Sequence, residues 1–148
     1  MTMDVKDFLA PADAAIDLRA PDKARLLQEL ARRAAAALKL PEAPIAQALA
    51  RREEIGSTGT GDGVALPHAR LPDVKKPFGM LFRLRQPIDF DAVDGKRVDV
   101  VFLLLLPTTA PGDHLNALAC AARALRNPEV VRNLRAANSD AELHAAIP

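Results

Sequence analysis

Apolar positions recur along this chain with two different periods, and the switches between them outline its elements. Between residues 22 and 40, Leu26, Leu27, Leu30, Ala34, Ala37 and Leu38 recur at helical spacing, and Pro41 ends the run. A second helix is predicted over residues 44–54, with Ile45, Ala46 and Leu49 facing inward. Residues 14–18 read as a short edge strand. Over residues 78–85, Met80, Phe82 and Leu84 alternate with Leu81, Arg83 and Arg85, the pattern of a half-buried strand. Residues 98–106 are apolar almost throughout, which suits a central strand covered on both faces. A third helix is predicted over residues 113–126, with an apolar stripe of Leu115, Leu118, Ala119, Ala122 and Leu125.

Asn127 before Pro128 pairs a capping side chain with the first residue of a fourth helix. Ser139 and Glu142 have the spacing of a capping box for a fifth. Helices and strands are interspersed, and hairpin-like spacings argue against a purely parallel sheet. The prediction is an α/β fold with a mixed β-sheet flanked by helices, as a single domain over residues 1–148.

Composition removes several function classes. The formal net charge is +1, so no global field favours nucleic acid or an anionic membrane. Trp and Tyr are absent and Phe occurs five times, a poor supply for stacking on bases. One cysteine, Cys120, excludes an internal disulfide and a cysteine-rich zinc site. The first residues lack the apolar run of a signal peptide, and the strongly apolar residues 100–106 are too few to cross a bilayer as a helix. The expectation is a cytoplasmic protein with no membrane insertion and no nucleic-acid partner.

One segment carries chemistry. Gly56, Gly59, Gly61 and Gly63 fall within eight residues, followed by the short strand 64–66 and then by Pro67 and His68. Glycines let a backbone approach a ligand, and proline fixes φ and holds Leu66 extended. This predicts a histidine held rigidly at a strand end beside exposed N–H groups. A neutral imidazole there can attack phosphorus through one nitrogen while the other donates a hydrogen bond that fixes the tautomer. His114, in the first turn of the third helix, is a second candidate, because helix N-termini favour phosphate; the alternative is an ordinary surface histidine near a helix start. Arg52, just before the glycines, could reach a phosphate or an acidic partner bidentately. Ser57 and Thr58 could donate hydroxyl hydrogen bonds to a phosphate or merely shape a turn.

Other chemistries lack their residues. The glycines are not followed by the Lys-Ser/Thr of a P-loop, no helix follows them as a dinucleotide fingerprint needs, and no nucleophile elbow is present. No closely spaced ligand pair supports a metal, so neither metal nor cofactor is expected. His144 is assigned to the surface of a terminal helix, and Cys120 to a small buried residue of the third helix.

The segment from Arg52 through Gly56, Ser57, Thr58, Gly59, Gly61 and Gly63 to Pro67, His68 and Ala69 closely resembles the active-site signature of enzyme IIA domains. These are components of the fructose/mannitol class of the bacterial phosphotransferase system. Residues 87–95, 98–107 and His114 with Leu115 resemble its nitrogen-regulatory branch, enzyme IIA-Ntr, and the likeness runs over nearly the whole chain. The resemblance implies a phosphoryl-accepting transferase component with His68 as the phosphorylated residue, by family precedent on Nε2. His114 would support the phosphoryl group without carrying it, Arg52 would lie near the site, and Ser57 and Thr58 would flank it as a phosphate-binding loop. It implies an HPr-like donor called NPr, charged from phosphoenolpyruvate by an enzyme I homologue, and regulatory targets including potassium transport and sensor proteins. Two other readings stay open: a sugar-specific enzyme IIA feeding a IIB domain, and a non-enzymatic binding module in which His68 is structural.

Overall fold

A computed structural model describes residues 3–108 and 111–148, the side chains of residues 111–114 excepted. Among them are six strands and five α-helices, besides two short 3-10 turns at Val5–Asp7 and Pro11–Asp13: β1 (Ala14–Leu18), α1 (Lys23–Leu38), α2 (Glu42–Ile55), β2 (Gly59–Gly61), β3 (Val64–Ala65), β4 (His68–Arg70), β5 (Phe78–Ile88), β6 (Val98–Leu106), α3 (Pro111–Arg126), α4 (Pro128–Ala136) and α5 (Asp140–Ala145). The strands form one mixed sheet in the order β1-β5-β6-β3-β2, with β4 also paired to β6. β5 is antiparallel to β6, whereas β1 is parallel to β5, and β3 and β4 are parallel to β6.

β6 organises the interior. Its pleat sends Val101, Leu103 and Leu105 into one core cluster, with Leu26 and Leu30 of α1 and Ile45 and Leu49 of α2. Val100, Phe102, Leu104 and Leu106 enter the other, with Ala117 and Ala121 of α3, Leu134 of α4 and Leu143 of α5. Both faces of the sheet are therefore covered by helices, as the unbroken apolar run predicts.

The helix ends follow their local chemistry. Asp22 accepts from Arg25 N at 2.8 Å to start α1, and Lys39 closes it in the left-handed region at φ 57°. Asn127 caps α4 with Pro128 behind it, and Ser139 caps α5 by accepting from Glu142 N at 3.1 Å. Arg83 on β5 reaches across to α4, donating from Nη1 to the carbonyls of Leu134, Arg135 and Ala137. It thereby satisfies acceptors that the helix C-terminus leaves open.

Some boundaries and faces differ from the sequence reading. α2 begins at Glu42, α3 at Pro111, and β5 continues through a register shift to Ile88. Two short strands, β2 and β4, were not predicted. The apolar stripe of α3 is rotated: Ala117, Ala121 and Leu125 are buried, while Ala119 is exposed and Leu115 is 62% exposed. Ala117, Ala121 and Leu125 enter the core cluster of Val100, Phe102 and Leu104, while Leu115 lies on the solvent side of the helix. Ala37, near the end of α1, is exposed rather than turned inward.

Candidate functional site

The glycine segment folds as a hairpin rather than as an open loop. β2 and β3 are antiparallel, with Gly61 paired to Val64, so Asp62 and Gly63 form the two-residue turn. Their φ values of 57° and 80° are both positive, the geometry that makes Asp-Gly a preferred hairpin pair. Gly59 is required for a different reason: a Cβ there would lie 2.8 Å from the Cβ of Ala92. The hairpin is thus pressed directly onto the loop after β5.

The chain leaves this hairpin through Leu66 and Pro67. Pro67 has no N–H, but its carbonyl accepts from Leu104 N at 2.9 Å, so the strand stays registered on β6 across the break. β4 then begins at His68, paired with Leu104. His68 therefore opens a strand fastened to the most buried strand of the sheet, directly after the strand end where the sequence placed it.

The imidazole of His68 is half-buried and held on both sides. Nδ1 lies 2.9 Å from the carbonyl oxygen of Leu66, which can only accept, so Nδ1 carries the proton. Nε2 accepts from Arg52 Nε at 3.4 Å, which requires its lone pair to be free. The two contacts specify the same tautomer. Burial pushes the pKa of His68 below its ordinary value; the Leu66 carbonyl opposes that, the Arg52 charge adds to it, Glu53 opposes, and Arg70 adds. The ring is accordingly neutral at neutral pH, with a nucleophilic nitrogen beside a guanidinium.

Arg52 sits in the last turn of α2, where its charge complements the helix C-terminus, and Nη1 donates to Gly56 O at 3.0 Å. His68 and Arg52 share a cavity of about 440 Å³ with Arg51, Arg70, Ile55, Leu115 and Leu118. Ile55 is 83% exposed and Arg51 and Arg70 are exposed beside it, so apolar and cationic side chains mix at the cavity's rim, over buried Ala69 and Leu106. A larger cavity of about 700 Å³ opens at the hairpin tip, but it has no histidine and its Arg135 is paired with Asp99 at 2.9 Å.

His114 falls on α3, the helix that supplies Leu115 and Leu118 to the cavity, and its side chain lies outside the described residues. Ser57 and Thr58 are engaged within the protein rather than turned to the histidine. Ser57 Oγ donates to Phe90 O at 2.9 Å and accepts from Gly59 N at 3.0 Å. Thr58 is 4% exposed, and both its N–H and its hydroxyl donate to Glu53. The N–H groups expected to be open around these glycines are thus partly used by the loop itself.

Glu53, Arg70, Ile55 and the Leu66 carbonyl were not singled out from sequence. Glu53 directly follows Arg52, and nothing in a solvated Arg-Glu-Glu run marks one carboxylate as buried. His144, assigned to the surface, is half-buried with Nε2 3.1 Å from Leu9 O. Cys120, expected to be buried, is only half-buried, and burial raises its thiol pKa. Among the described residues no cluster of three His, Cys, Asp or Glu side chains is placed to hold a metal ion, and no helix is long and apolar enough to cross a membrane.

The family model for the phosphoenolpyruvate-dependent sugar phosphotransferase system, EIIA 2, matches residues 7–148. The chain belongs to this family. As an EIIA 2 protein it is a phosphoryl-carrying transferase component. A nitrogen regulatory protein of Bradyrhizobium diazoefficiens is 41% identical over 145 residues, covering 98% of this chain and 95% of that protein. The nitrogen regulatory protein of Escherichia coli strain K12 is 40% identical over 126 residues, covering 84% of this chain and 77% of that one. The crystal structure of nitrogen regulatory protein IIA-Ntr from Neisseria meningitidis superposes with a TM-score of 0.91 at 34% identity, covering 97% and 99% of the two chains. These relatives place this EIIA 2 protein in the nitrogen branch of the system.

Proposed function

We propose that this chain is the phosphohistidine carrier of a nitrogen-related phosphotransferase relay, taking its phosphoryl group on Nε2 of His68 from an HPr-like donor, NPr. The observation that carries the reading is the double fixation of the imidazole. Leu66 O holds the Nδ1 proton, and Nε2 is left as a lone pair beside Arg52 in an open cavity.

The step balances simply. The Nε2 lone pair forms a bond to phosphorus as the donor's P–N bond breaks, and that electron pair returns to the donor ring. Positive charge develops on the His68 ring as the bond forms, and the Leu66 carbonyl at Nδ1–H stabilises it. Arg52 turns from Nε2 to the phosphoryl oxygens, where a charge-assisted hydrogen bond is stronger. His114 completes the support in this reading. Donor and acceptor are both phosphoramidates, so the transfer is nearly balanced and needs positioning more than driving force.

The rim, where exposed Ile55 and Leu115 stand among Arg51, Arg52 and Arg70, suits a docking protein that presents apolar and acidic side chains together. Phosphorylation adds about −1.5 to −2 charges within this rim. In this reading the chain is cytoplasmic, and its regulatory partners, potassium transport and sensor proteins, would distinguish the two forms by that charge. Residues 1–148 act as one such domain. The nitrogen regulatory protein of Bradyrhizobium diazoefficiens covers 98% of the chain at 41% identity, whereas a fructose-specific EIIA component of Haloferax volcanii covers 62% at 38%, which favours the regulatory role over sugar transport.

The test is incubation with phosphoenolpyruvate, enzyme I and the HPr-like protein. An acid-labile phosphate is expected on the native chain and none on His68→Ala. Label that survives on His68→Ala would rule out His68 as the acceptor.

A further inference from the structure

Glu53 is a carboxylate in a place that opposes it. Its side chain is only 6% exposed, and it lies in the last turns of α2, where the helix dipole is negative. Burying a charge without partners is costly, so its partners show what holds it there. Both carboxylate oxygens lie 3.0 Å from Thr58 N, and Oε1 also accepts the Thr58 hydroxyl. Lys23 Nζ lies 3.8 Å from Oε1, steadied 4.6 Å over the ring of Phe90.

From Thr58 the contacts run to the imidazole. The Thr58 carbonyl accepts from Leu66 N at 2.9 Å, and the Leu66 carbonyl accepts the Nδ1 proton of His68 at 2.9 Å. Arg52 and Glu53, consecutive in sequence, thus address opposite sides of one ring: Arg52 directly at Nε2, Glu53 through two backbone segments at Nδ1.

We infer that Glu53 is a positioning residue, whose carboxylate locks Thr58 so that Leu66 holds His68 in the Nδ1–H tautomer with Nε2 as the nucleophile. This rests on the phosphocarrier reading for its purpose, but not for its test. A carboxylate is the only side chain of this length that accepts from both Thr58 donors without offering a donor of its own. Glutamine at this site would present an amide N–H to the same pair or give up one bond.

The experiment uses the full chain and potassium phosphoramidate, a small donor that phosphorylates histidine without a carrier protein. Its P–N bond breaks, ammonia leaves, and the phosphoryl group passes to a ring nitrogen. Long-range proton–nitrogen NMR reads the resting tautomer of His68, and phosphorus NMR reads which nitrogen is modified and how fast. The native chain is expected to show one tautomer and modification at Nε2. Glu53→Gln is expected to populate both tautomers and to slow modification at Nε2 by about three- to tenfold.

Thr58→Val, which keeps the backbone donor and removes the hydroxyl, is expected to shift the tautomer ratio in the same direction by less, and it carries the test if Glu53→Gln does not fold. A folded variant that melts earlier but keeps a single Nδ1–H tautomer and the native rate would overturn the inference, reducing Glu53 to a structural role. Failure of the native chain to accept from the HPr-like protein would instead count against the proposed function, with the tautomer result standing.

Discussion

Arg52→Ala separates stabilisation of the phosphorylated form from everything else Arg52 does. In the resting state its bond to Nε2 is long, at 3.4 Å, so little is lost there. Once a phosphoryl group occupies Nε2, the same guanidinium faces about two negative charges. A pair of unit charges about 4 Å apart attracts by roughly 4 kcal/mol at an effective dielectric of about 20. The half-buried position lets water screen part of that, and hydrogen bonds to charged groups give a net of about 1.5–3 kcal/mol. At about 1.4 kcal/mol per decade this is roughly a 10- to 150-fold shift of the transfer equilibrium toward the donor. The assay mixes labelled phosphorylated HPr-like protein with native or Arg52→Ala chain, quenches at intervals and reads the final partition and the approach to it. Arg52→Lys keeps the charge without the planar fork and is expected to fall between the two. A parallel thermal melt controls for the lost bond to Gly56 O. A partition within about twofold of native would refute the assignment of Arg52 as the phosphoryl partner.

The His68 ring should titrate below the ordinary histidine value of about 6.5 when followed by NMR, because burial disfavours its charged form. Between the folded and unfolded pKa values the unfolded chain binds more protons, so the stability linked to this group is full above the unfolded value and is lost as pH falls through the folded one. Urea melts across this window should show that loss in the native chain and not in His68→Ala; a titration midpoint above the ordinary value would contradict the geometry. Gly79→Ala places a Cβ 2.9 Å from the Phe102 ring and 3.1 Å from Phe8 O. Overpacking of this kind costs about 1–3 kcal/mol. The melting temperature should fall by about 2–4 °C per kcal/mol, and an unchanged melt would show that Phe102 can move aside.

The parts of this molecule that a sequence shows are those whose cause is local. The run from Val98 to Leu106 announced a strand covered on both faces because every pleat direction is apolar, and Asn127 and Ser139 announced helix starts because capping is a contact between near neighbours. The Asp62-Gly63 turn was equally local; its dipeptide signals a hairpin, but the surrounding glycines drew attention to ligand approach instead. β4 has three residues and owes its existence to pairing with β6, so no period within it could show it. At the site, Pro67-His68 marked the proposed acceptor, and Arg52 stands beside it as expected. The environment of Thr58 depends on a carboxylate brought back by the turn after α2, and that of Leu115 on which face of α3 the alanines occupy. Such facts belong to packing between elements, where one sequence period fits two orientations.

The pairing of His68 with Leu104 leaves the protein little room to answer modification by changing shape. β6 is anchored in both cores, and a strand sewn to it cannot swing without disturbing each. Whatever listens to this histidine must therefore sense an added anion at close range, since mobile ions blot out a surface charge beyond about 8 Å at physiological salt. Discrimination between the two forms should then erode as salt is raised, and a listener that grips a distant face of the molecule would be deaf to the difference.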